Sequence, residues 1–307
     1  MLAAVLMWLQ CAAALGESGG YLTVKINGLT YLLSDAPYYD VPEAVATQAR
    51  SLYRGLAEAP EVRSYVYLIN SSRTVSMDRI DEEPRIYKSI LKYFDRSGTD
   101  YLRLQSLEDY ARYYYTTDHH WNYQGSYAGY RQIVEMLLGA EEPVLEPVET
   151  VVFPVKFNGS MNKTMNRTDS QEDFTVYRFD YPEMKVEING RRKAAFGNQE
   201  AYFAGKYSKM PLANHYSYFY GGEEGLVHFE TDREDRGNLL VFSNSQSNAL
   251  NMLLASHFHH TWIVDPRHYE ADTGEKFSLS RAVREWNIGQ VLILGDGLYF
   301  RQNYHYE

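Results

Sequence analysis

The chain has 307 residues, enough to bury a full hydrophobic core as one large α/β domain or as a domain with an inserted module. Hydrophobic residues make up 45% of the chain and aromatic residues 15%, which excludes wholesale disorder. A net charge of −10 argues against a nucleic-acid partner, and the single cysteine, Cys11, excludes a disulfide framework and a cysteine-based zinc site. The 28 tyrosines suit stacking on sugar rings, although ordinary core packing explains them equally well.

Residues 1–19 form an apolar leading segment that has two interpretations. Met1–Leu9 followed by Ala12–Ala14 is typical of the hydrophobic region of a signal peptide, but the positive charges that normally precede this region are missing. The segment is too short to serve as a stable bilayer anchor. We expect either an export signal, which is slightly favoured, or a truncated chain that begins within a core helix.

Residues 20–142 alternate between strand and helix patterns, and form the N-terminal part of the predicted domain. The predicted elements are a hairpin turning at Asn27-Gly28, a helix from Val41, a buried parallel strand at Ser64–Ile69, a helix at Ile86–Phe94, a strand at Tyr101–Leu104 and a helix capped by Ser106. Asn122 is predicted to cap a helix that ends at Gly139. Gly125, Ala128 and Gly129 would let this helix approach the sheet closely.

Residues 143–213 differ in character and predict a β-rich insertion or lid. The stretch is rich in proline, its middle is rich in asparagine and threonine, and Thr175–Phe179 alternates like a strand. Glu187–Arg191 predicts a further hairpin.

The strand and helix pattern then resumes over residues 214–307, with strands at 226–229, 239–242, 261–265 and 291–294 and helices at 247–258 and 279–286. Such alternation predicts a mostly parallel sheet.

The segment from Tyr113 to Trp121 carries the clearest chemistry. Asp118, His119 and His120 are consecutive, and a carboxylate beside a histidine is the usual way to orient a general base. We expect His119 to point away from His120 and to have a structural role. Trp121 is expected to pack in the core.

A general base of this kind requires a nucleophile, and Asn238–Leu250 provides a candidate. The stretch is a buried strand that ends in polar residues and leads into a helix, a junction where the helix N-terminus can stabilise an oxyanion. Ser245 is the predicted nucleophile, because Ser243 belongs to the strand and Ser247 lies inside the first helical turn. The alternative is that all three serines only cap the helix.

The block Tyr114–Trp121 with Gly125–Tyr127 resembles the signature of the DHHW protein family, which is related to the SGNH-hydrolase-like alginate O-acetyltransferases of bacterial envelopes. Weaker similarity to this family lies in Lys156–Ser160, Tyr218–Gly222, Asn244–Leu250, Ser256–Phe258 and Val264–Tyr269. The resemblance implies an α/β, SGNH-hydrolase-like three-layer fold with a mostly parallel sheet, a permuted order and a β-rich insertion.

The same resemblance implies an Asp-His-Ser triad of Asp118, His120 and Ser245. Apart from the resemblance, we expect the Ser245 amide to form part of the oxyanion hole, with a glycine amide from Gly221-Gly222, assigned here to Gly222, as the second donor. The resemblance also implies a bacterial, extracytoplasmic O-acetyltransferase or acetylesterase that modifies a cell-surface polysaccharide, with a separate membrane protein as acetyl donor. Where the family usually has Asp-Ser, this chain has Asn244-Ser245.

The alternative function is a catalytically degenerate protein that binds carbohydrate, suggested by Asn244 and by the tyrosine excess. No cofactor and no metal are expected, and the cluster His257–His260 is expected to complement a helix end rather than to bind a metal. The acceptor sugar, and the choice between transfer and hydrolysis, stay open at this point.

Overall fold

Five parallel strands form one side of an eight-stranded sheet. A computed structural model of the protein describes residues 21–34, 40–207 and 214–307. The strands are β1 (Tyr21–Ile26), β2 (Leu29–Ser34), β3 (Arg63–Leu68), β4 (Gly98–Tyr101), β5 (Glu149–Lys156), β6 (Asp173–Arg178), β7 (Met184–Ile188), β8 (Arg191–Lys193), β9 (Leu226–Thr231), β10 (Asn238–Phe242), β11 (His260–Val264) and β12 (Ile288–Gly295). The helices are α1 (Pro42–Gly55), α2 (Arg85–Tyr93), α3 (Leu107–Tyr113), α4 (Tyr123–Leu138), α5 (Ser160–Thr164), α6 (Gln199–Phe203), α7 (His215–Tyr220), α8 (Asn251–Ala255), α9 (Tyr269–Thr273), α10 (Leu279–Glu285) and α11 (Gly297–Arg301).

The strand order of the main sheet is β4-β3-β12-β10-β11-β9-β7-β8. The first five strands pair in parallel, and the remaining pairings are antiparallel. After β10 the chain adds β11 on one side and β12 on the other, so the strand order reverses at β10. Sites in open α/β sheets lie beyond the carboxyl ends of the strands at such a reversal. The predicted α/β class with a mostly parallel sheet is confirmed, whereas the permuted order stays a prediction.

Each face of the sheet is covered by helices, because successive side chains of a strand point to opposite faces. Tyr67 of β3 and Val241 of β10 lie in a core shared with α4 and α8. Leu68 and Leu240 lie in a second core, shared with α1, α2 and α10. The result is three layers. None of the helices within the described ranges combines the length and the apolarity that crossing a membrane requires.

The region 143–213 contributes to two sheets. β5 and β6 form a separate two-stranded sheet, which shares an aromatic core with α6 and α7, whereas β7 and β8 extend the main sheet beyond β9. The predicted hairpin turn at Asn189-Gly190 is confirmed, since both residues have positive φ. The division into an insertion and two flanking parts stays a prediction, and the leading segment 1–19 lies outside the described residues.

Two elements differ from their predicted ranges. The strand predicted at Tyr101–Leu104 ends at Tyr101, because its neighbour β3 ends at the paired residue Leu68. The helix predicted over 247–258 is a 3₁₀ turn at Ser245–Ser247 followed by the short α8. Tertiary hydrogen bonds hold this stretch in a turn, among them those from the Asn248 side chain to the carbonyls of Gly221 and Gly222.

Helix α4 is capped as predicted, and two of its glycines lie against Trp121 and the backbone before it. The Asn122 side chain accepts hydrogen bonds from the amides of Gln124 and Gly125, and the helix ends at Gly139. A Cβ atom on Gly125 would lie 2.2 Å from the Tyr113 carbonyl oxygen, and one on Gly129 would lie 2.5 Å from the Trp121 ring. The two glycines therefore make room for Trp121 and for the backbone before it, whereas the expectation that they let the helix approach the sheet closely stays a prediction.

We expect Gly129→Ala to lower the free energy of unfolding by about 1 kcal/mol. Overpacking against the buried indole costs about 1–3 kcal/mol, and the better helix propensity of alanine returns only about 1 kcal/mol. Urea denaturation measures the change. Gly237→Ala is the control, because a Cβ atom there meets no atom within 4 Å. Equal stability of the two variants would show that Trp121 does not require the glycine.

Candidate active site

Asp118, His120 and Ser245 meet at the carboxyl edge of the sheet. Nδ1 of His120 lies 2.5 Å from Oδ1 of Asp118, and Nε2 of His120 lies 2.9 Å from Oγ of Ser245. Asp118 and His120 come from the loop between α3 and α4, and Ser245 begins the turn after β10. The three residues thus form one continuous hydrogen-bonded chain, although 125 positions separate the histidine from the serine.

The Asp118 carboxylate is fully buried and is held by three donors. Oδ1 accepts from the amide and from Nδ1–H of His120, and Oδ2 accepts from the Ser160 amide at 2.6 Å. Burial alone would raise the pKa of Asp118, but the nearby imidazoles of His120 and His119 and these hydrogen bonds hold it well below its ordinary value. The carboxylate therefore stays ionised, which makes Nδ1 of His120 the donor and leaves Nε2 free to accept the Ser245 hydroxyl proton.

Gly159 allows the Ser160 amide to reach the carboxylate. A Cβ atom at this position would lie 2.3 Å from the Thr117 carbonyl oxygen and 2.5 Å from Cβ of Asp118. The Gly159 amide also donates to the Thr117 hydroxyl. Because any side chain at 159 would force these segments apart, glycine is required where α5 begins.

The loop that carries Asp118 and His120 is fastened at both ends. Tyr114 and Trp121 form an isolated antiparallel bridge, and the Trp121 indole donates to the Gln246 carbonyl at 2.9 Å. Trp121 is fully buried, as expected of a core residue. Since Gln246 directly follows Ser245, the indole links two segments. One is the loop 114–122, the histidine loop, and the other is the turn Ser245–Ser247, the serine turn.

Of the three serines around this turn, Ser245 is the one whose hydroxyl faces His120. The hydroxyls of Ser243 and Ser247 donate instead to the carbonyls of Leu294 and Asn244, at 2.8 Å and 3.2 Å. The turn itself is capped by the Asn244 side chain, which accepts from the Gln246 amide at 3.0 Å. The alternative in which serines cap this element is therefore not what the structure shows.

His119 does not point away from its neighbour, so that expectation was wrong. The rings of His119 and His120 lie 4.0 Å apart between centroids, and Nδ1 of His119 lies 2.7 Å from Oγ of Ser160. Burial lowers the pKa of His119 well below its ordinary value, and the charge of His120 lowers it further. His119 is therefore neutral at physiological pH.

Gly222, the predicted oxyanion donor, is exposed and lies next to the serine turn. The Asn248 side chain donates to the carbonyls of Gly221 and Gly222, and the Asn248 amide donates to the Ser245 carbonyl. The glycine is thereby tied to the turn that carries Ser245. Its role stays a prediction.

Three atoms of Asp118, His119 and His120 lie within 4.8 Å of one another and could bind a metal ion. Each of these residues already has a hydrogen-bonding partner, and 2.5 Å between His120 and Asp118 is a hydrogen-bond length that leaves no room for an ion between them. The arrangement therefore fits a hydrogen-bonded triad better than a metal centre.

His257, from the second histidine cluster, has a structural environment. Its Nδ1 donates to Glu142 at 3.1 Å, and its Nε2 accepts from the Tyr130 hydroxyl at 2.6 Å. These bonds join α4, the loop after it and the end of α8, which indicates packing rather than metal binding.

Three solved structures share this fold. A DHHW family protein from Eubacterium siraeum DSM 15702 aligns with a TM-score of 0.70 and 18% identity, over 94% of this chain and 94% of its own. Bacillus cereus PatB1 aligns with a TM-score of 0.66 and 16% identity, over 94% and 99%. A second PatB1 structure, with a sulfonyl adduct, aligns with a TM-score of 0.64 and 17% identity, over 91% and 96%. No protein-family model and no curated protein matches the sequence. The expected resemblance to the DHHW family is confirmed, and at these identities it is a likeness of fold.

Glu172 holds the histidine loop in place through hydrogen bonds with Thr116, and this role was not predicted from the sequence. Its Oε2 accepts from the amide and the hydroxyl of Thr116, at 2.9 Å and 2.8 Å. Burial raises the pKa of Glu172, the hydrogen bonds from Thr116 lower it, and the charge of Asp118 raises it, which together bring the pKa to about 7. Because the pKa in the folded state is above the ordinary 4.5, the protonated form stabilises the fold, and this contribution is lost as the pH rises through 7.

We expect Glu172→Gln to raise the free energy of unfolding by about 2 kcal/mol at pH 8 and to leave it unchanged near pH 4. Glutamine keeps an acceptor oxygen for Thr116 but carries no charge. Urea denaturation across this pH range measures the difference. The exposed Glu149→Gln should show no such pH dependence, and an equally flat profile for Glu172→Gln would contradict the expectation.

Proposed function

We propose that this protein is a serine-dependent O-acetyltransferase or acetylesterase that acts on a cell-surface or extracellular polysaccharide. The observation that carries the proposal is the continuous chain from Asp118 through His120 to Ser245, with hydrogen bonds of 2.5 Å and 2.9 Å. These distances suit proton transfer from a serine hydroxyl to an imidazole.

In the proposed reaction, Oγ of Ser245 attacks the carbonyl carbon of an acetyl ester. Nε2 of His120 takes the hydroxyl proton, and Asp118 stabilises the imidazolium that forms. The imidazolium then protonates the departing alcohol, which leaves an acetyl group on Ser245. A sugar hydroxyl or a water molecule then attacks the carbonyl carbon of this acetyl-enzyme and gives its proton to His120. His120 passes that proton to Oγ of Ser245 as the bond between Oγ and the acetyl group breaks.

The negative charge on the carbonyl oxygen requires donors in both steps. We assign this role to the Ser245 amide and to the amide of Gly222, which the Asn248 side chain ties to the serine turn. Neither donor depends on a metal.

The proposal extends to partners and location through the DHHW resemblance. The acceptor is a polysaccharide or oligosaccharide, a separate membrane protein supplies the acetyl group, and the protein acts outside the cytoplasm. The likeness of fold to a DHHW family protein supports the family resemblance from which these assignments follow.

Two observations weaken the reasons for the alternative, a protein that binds carbohydrate without catalysis. Asn244 still accepts the hydrogen bond that fixes the turn. Many tyrosines in the described residues are fully buried and so are not available to stack on sugars; they include Tyr67, Tyr110, Tyr114, Tyr115, Tyr130, Tyr216, Tyr299 and Tyr306.

A fluorophosphonate probe should label the wild-type protein at Ser245, because only an activated serine reacts with it. Ser245→Ala should abolish labelling, and Asp118→Asn should slow it about 10³–10⁴-fold, since the imidazole loses its orienting partner. Ser247→Ala is the matched control and should still be labelled. Gel fluorescence and mass spectrometry of the labelled peptide give the readout.

An unlabelled wild-type protein that nevertheless binds oligosaccharides would favour the non-catalytic alternative. If labelling occurs, acetyl release from a chromogenic ester, compared with acetyl gain on an oligosaccharide, decides between hydrolysis and transfer.

Asn244→Asp should keep kcat/KM within about threefold of the wild-type value, because a carboxylate oxygen can accept the same hydrogen bond from the Gln246 amide. Asn244→Ala should lower kcat/KM about fivefold, since loss of such a cap costs about 1 kcal/mol and frees the serine turn. Steady-state ester hydrolysis measures both. Equal activity of the two variants would show that the cap does not position Ser245.

A further inference from the structure

The imidazole of His120 is enclosed between two other rings. The Tyr216 ring is stacked on it, with centroids 4.0 Å apart and planes 14° apart. The His119 ring also lies 4.0 Å from it, at an angle of 36°. Two rings cannot share one face of an imidazole at this distance, so Tyr216 and His119 lie on opposite faces.

Tyr216 also contacts the serine. Its hydroxyl donates to the Ser245 carbonyl at 2.9 Å, and its side chain, on α7, is fully buried. One rigid side chain therefore touches both residues of the pair whose separation controls proton transfer. The His120 ring has an edge toward Asp118, an edge toward Ser245 and a face against Tyr216, which leaves it little freedom to rotate.

We infer that Tyr216 is a positioning residue of the proposed active site, which holds His120 and Ser245 at hydrogen-bonding distance and stabilises the imidazolium with its ring face. The inference rests on the proposed function. The face of an aromatic ring carries partial negative charge and attracts a cation that lies against it. Tyr216 thus favours the charged form of His120, which the proposed reaction produces after each attack.

His119, on the opposite face of the His120 ring, is compatible with a positive charge on His120. Burial and the charge of His120 lower the pKa of His119 well below its ordinary value, so His119 is neutral and does not repel an imidazolium beside it. The groups that face His120 are therefore one carboxylate, one hydroxyl, one neutral imidazole and one phenol ring.

The test compares Tyr216→Phe, which keeps the ring, with Tyr216→Leu, which removes it. We expect Tyr216→Phe to lower kcat about three- to tenfold by freeing the Ser245 carbonyl, a loss typical of one hydrogen bond, and to leave the acid limb of the kcat/KM profile in place. Tyr216→Leu should lower kcat further and move the acid limb to lower pH by about half a pH unit, because the imidazolium loses its ring face.

Tyr220→Phe and Tyr220→Leu are the matched controls. Tyr220 lies on the same helix, is buried, and packs against Tyr216 at 5.1 Å. These variants should leave the acid limb in place, because Tyr220 has no ring or hydrogen-bond contact with His120 among the interactions of the described residues. If Tyr216→Leu matches Tyr220→Leu in both kcat and the acid limb, Tyr216 is a packing residue and the inference is wrong.

A second readout does not depend on activity. NMR titration of histidine-labelled protein, with the His120 signal assigned by His120→Gln, should show a lower midpoint for Tyr216→Leu and an unchanged one for Tyr216→Phe. If Tyr216→Leu fails to fold, pentafluorophenylalanine at position 216 replaces it, since this residue keeps the ring shape of the Phe variant and reverses the charge of the ring face. If the wild-type protein does not react with the fluorophosphonate probe but the His120 midpoint still shifts in the variant, the proposed function is refuted and the coupling between Tyr216 and His120 is retained. A midpoint that does not shift would refute the coupling.

Discussion

The buried Asp118 carboxylate is the constraint on which the rest of the site depends. Removing a carboxylate from water costs several kcal/mol, and each hydrogen bond to the charge returns about 1.5–3 kcal/mol. Two donors come from His120 and the third from the Ser160 amide. The need for that third donor explains why the start of α5 lies against the histidine loop, and why position 159 has no side chain.

The sheet brings the nucleophile to this carboxylate. Ser245 follows β10, where the strand order reverses, and the turn is fixed by Asn244 from within and by the Trp121 indole from the histidine loop. The glycines of α4 make room for that indole. The distance between His120 and Ser245 is therefore set by packing in the α4 layer as well as by the two loops that carry the residues.

Local signals predicted what local physics determines. The helix caps at Ser106 and Asn122 depend on residues within one turn, and the buried strand β3 depends on a short apolar run. Long-range contacts could not be predicted in this way. Ser160 lies 42 positions from Asp118, and Tyr216 lies 29 from Ser245, so no spacing in the sequence indicates either contact. The helix predicted after Ser247 was wrong for the same reason, because tertiary hydrogen bonds outweigh its helical pattern.

The folded protein gives the abundance of tyrosine a structural explanation. Buried tyrosine hydroxyls donate to backbone carbonyls far along the chain: Tyr114 to Asn70, Tyr31 to Ala111 and Tyr216 to Ser245. A phenylalanine would fill the same space but would leave those carbonyls with one donor fewer, at a cost of about 1 kcal/mol each. Tyrosine thus combines core packing with the fixing of loop backbone. A site assembled from loops at a sheet edge needs that combination most, because its loops have no ladder of strand hydrogen bonds to hold them.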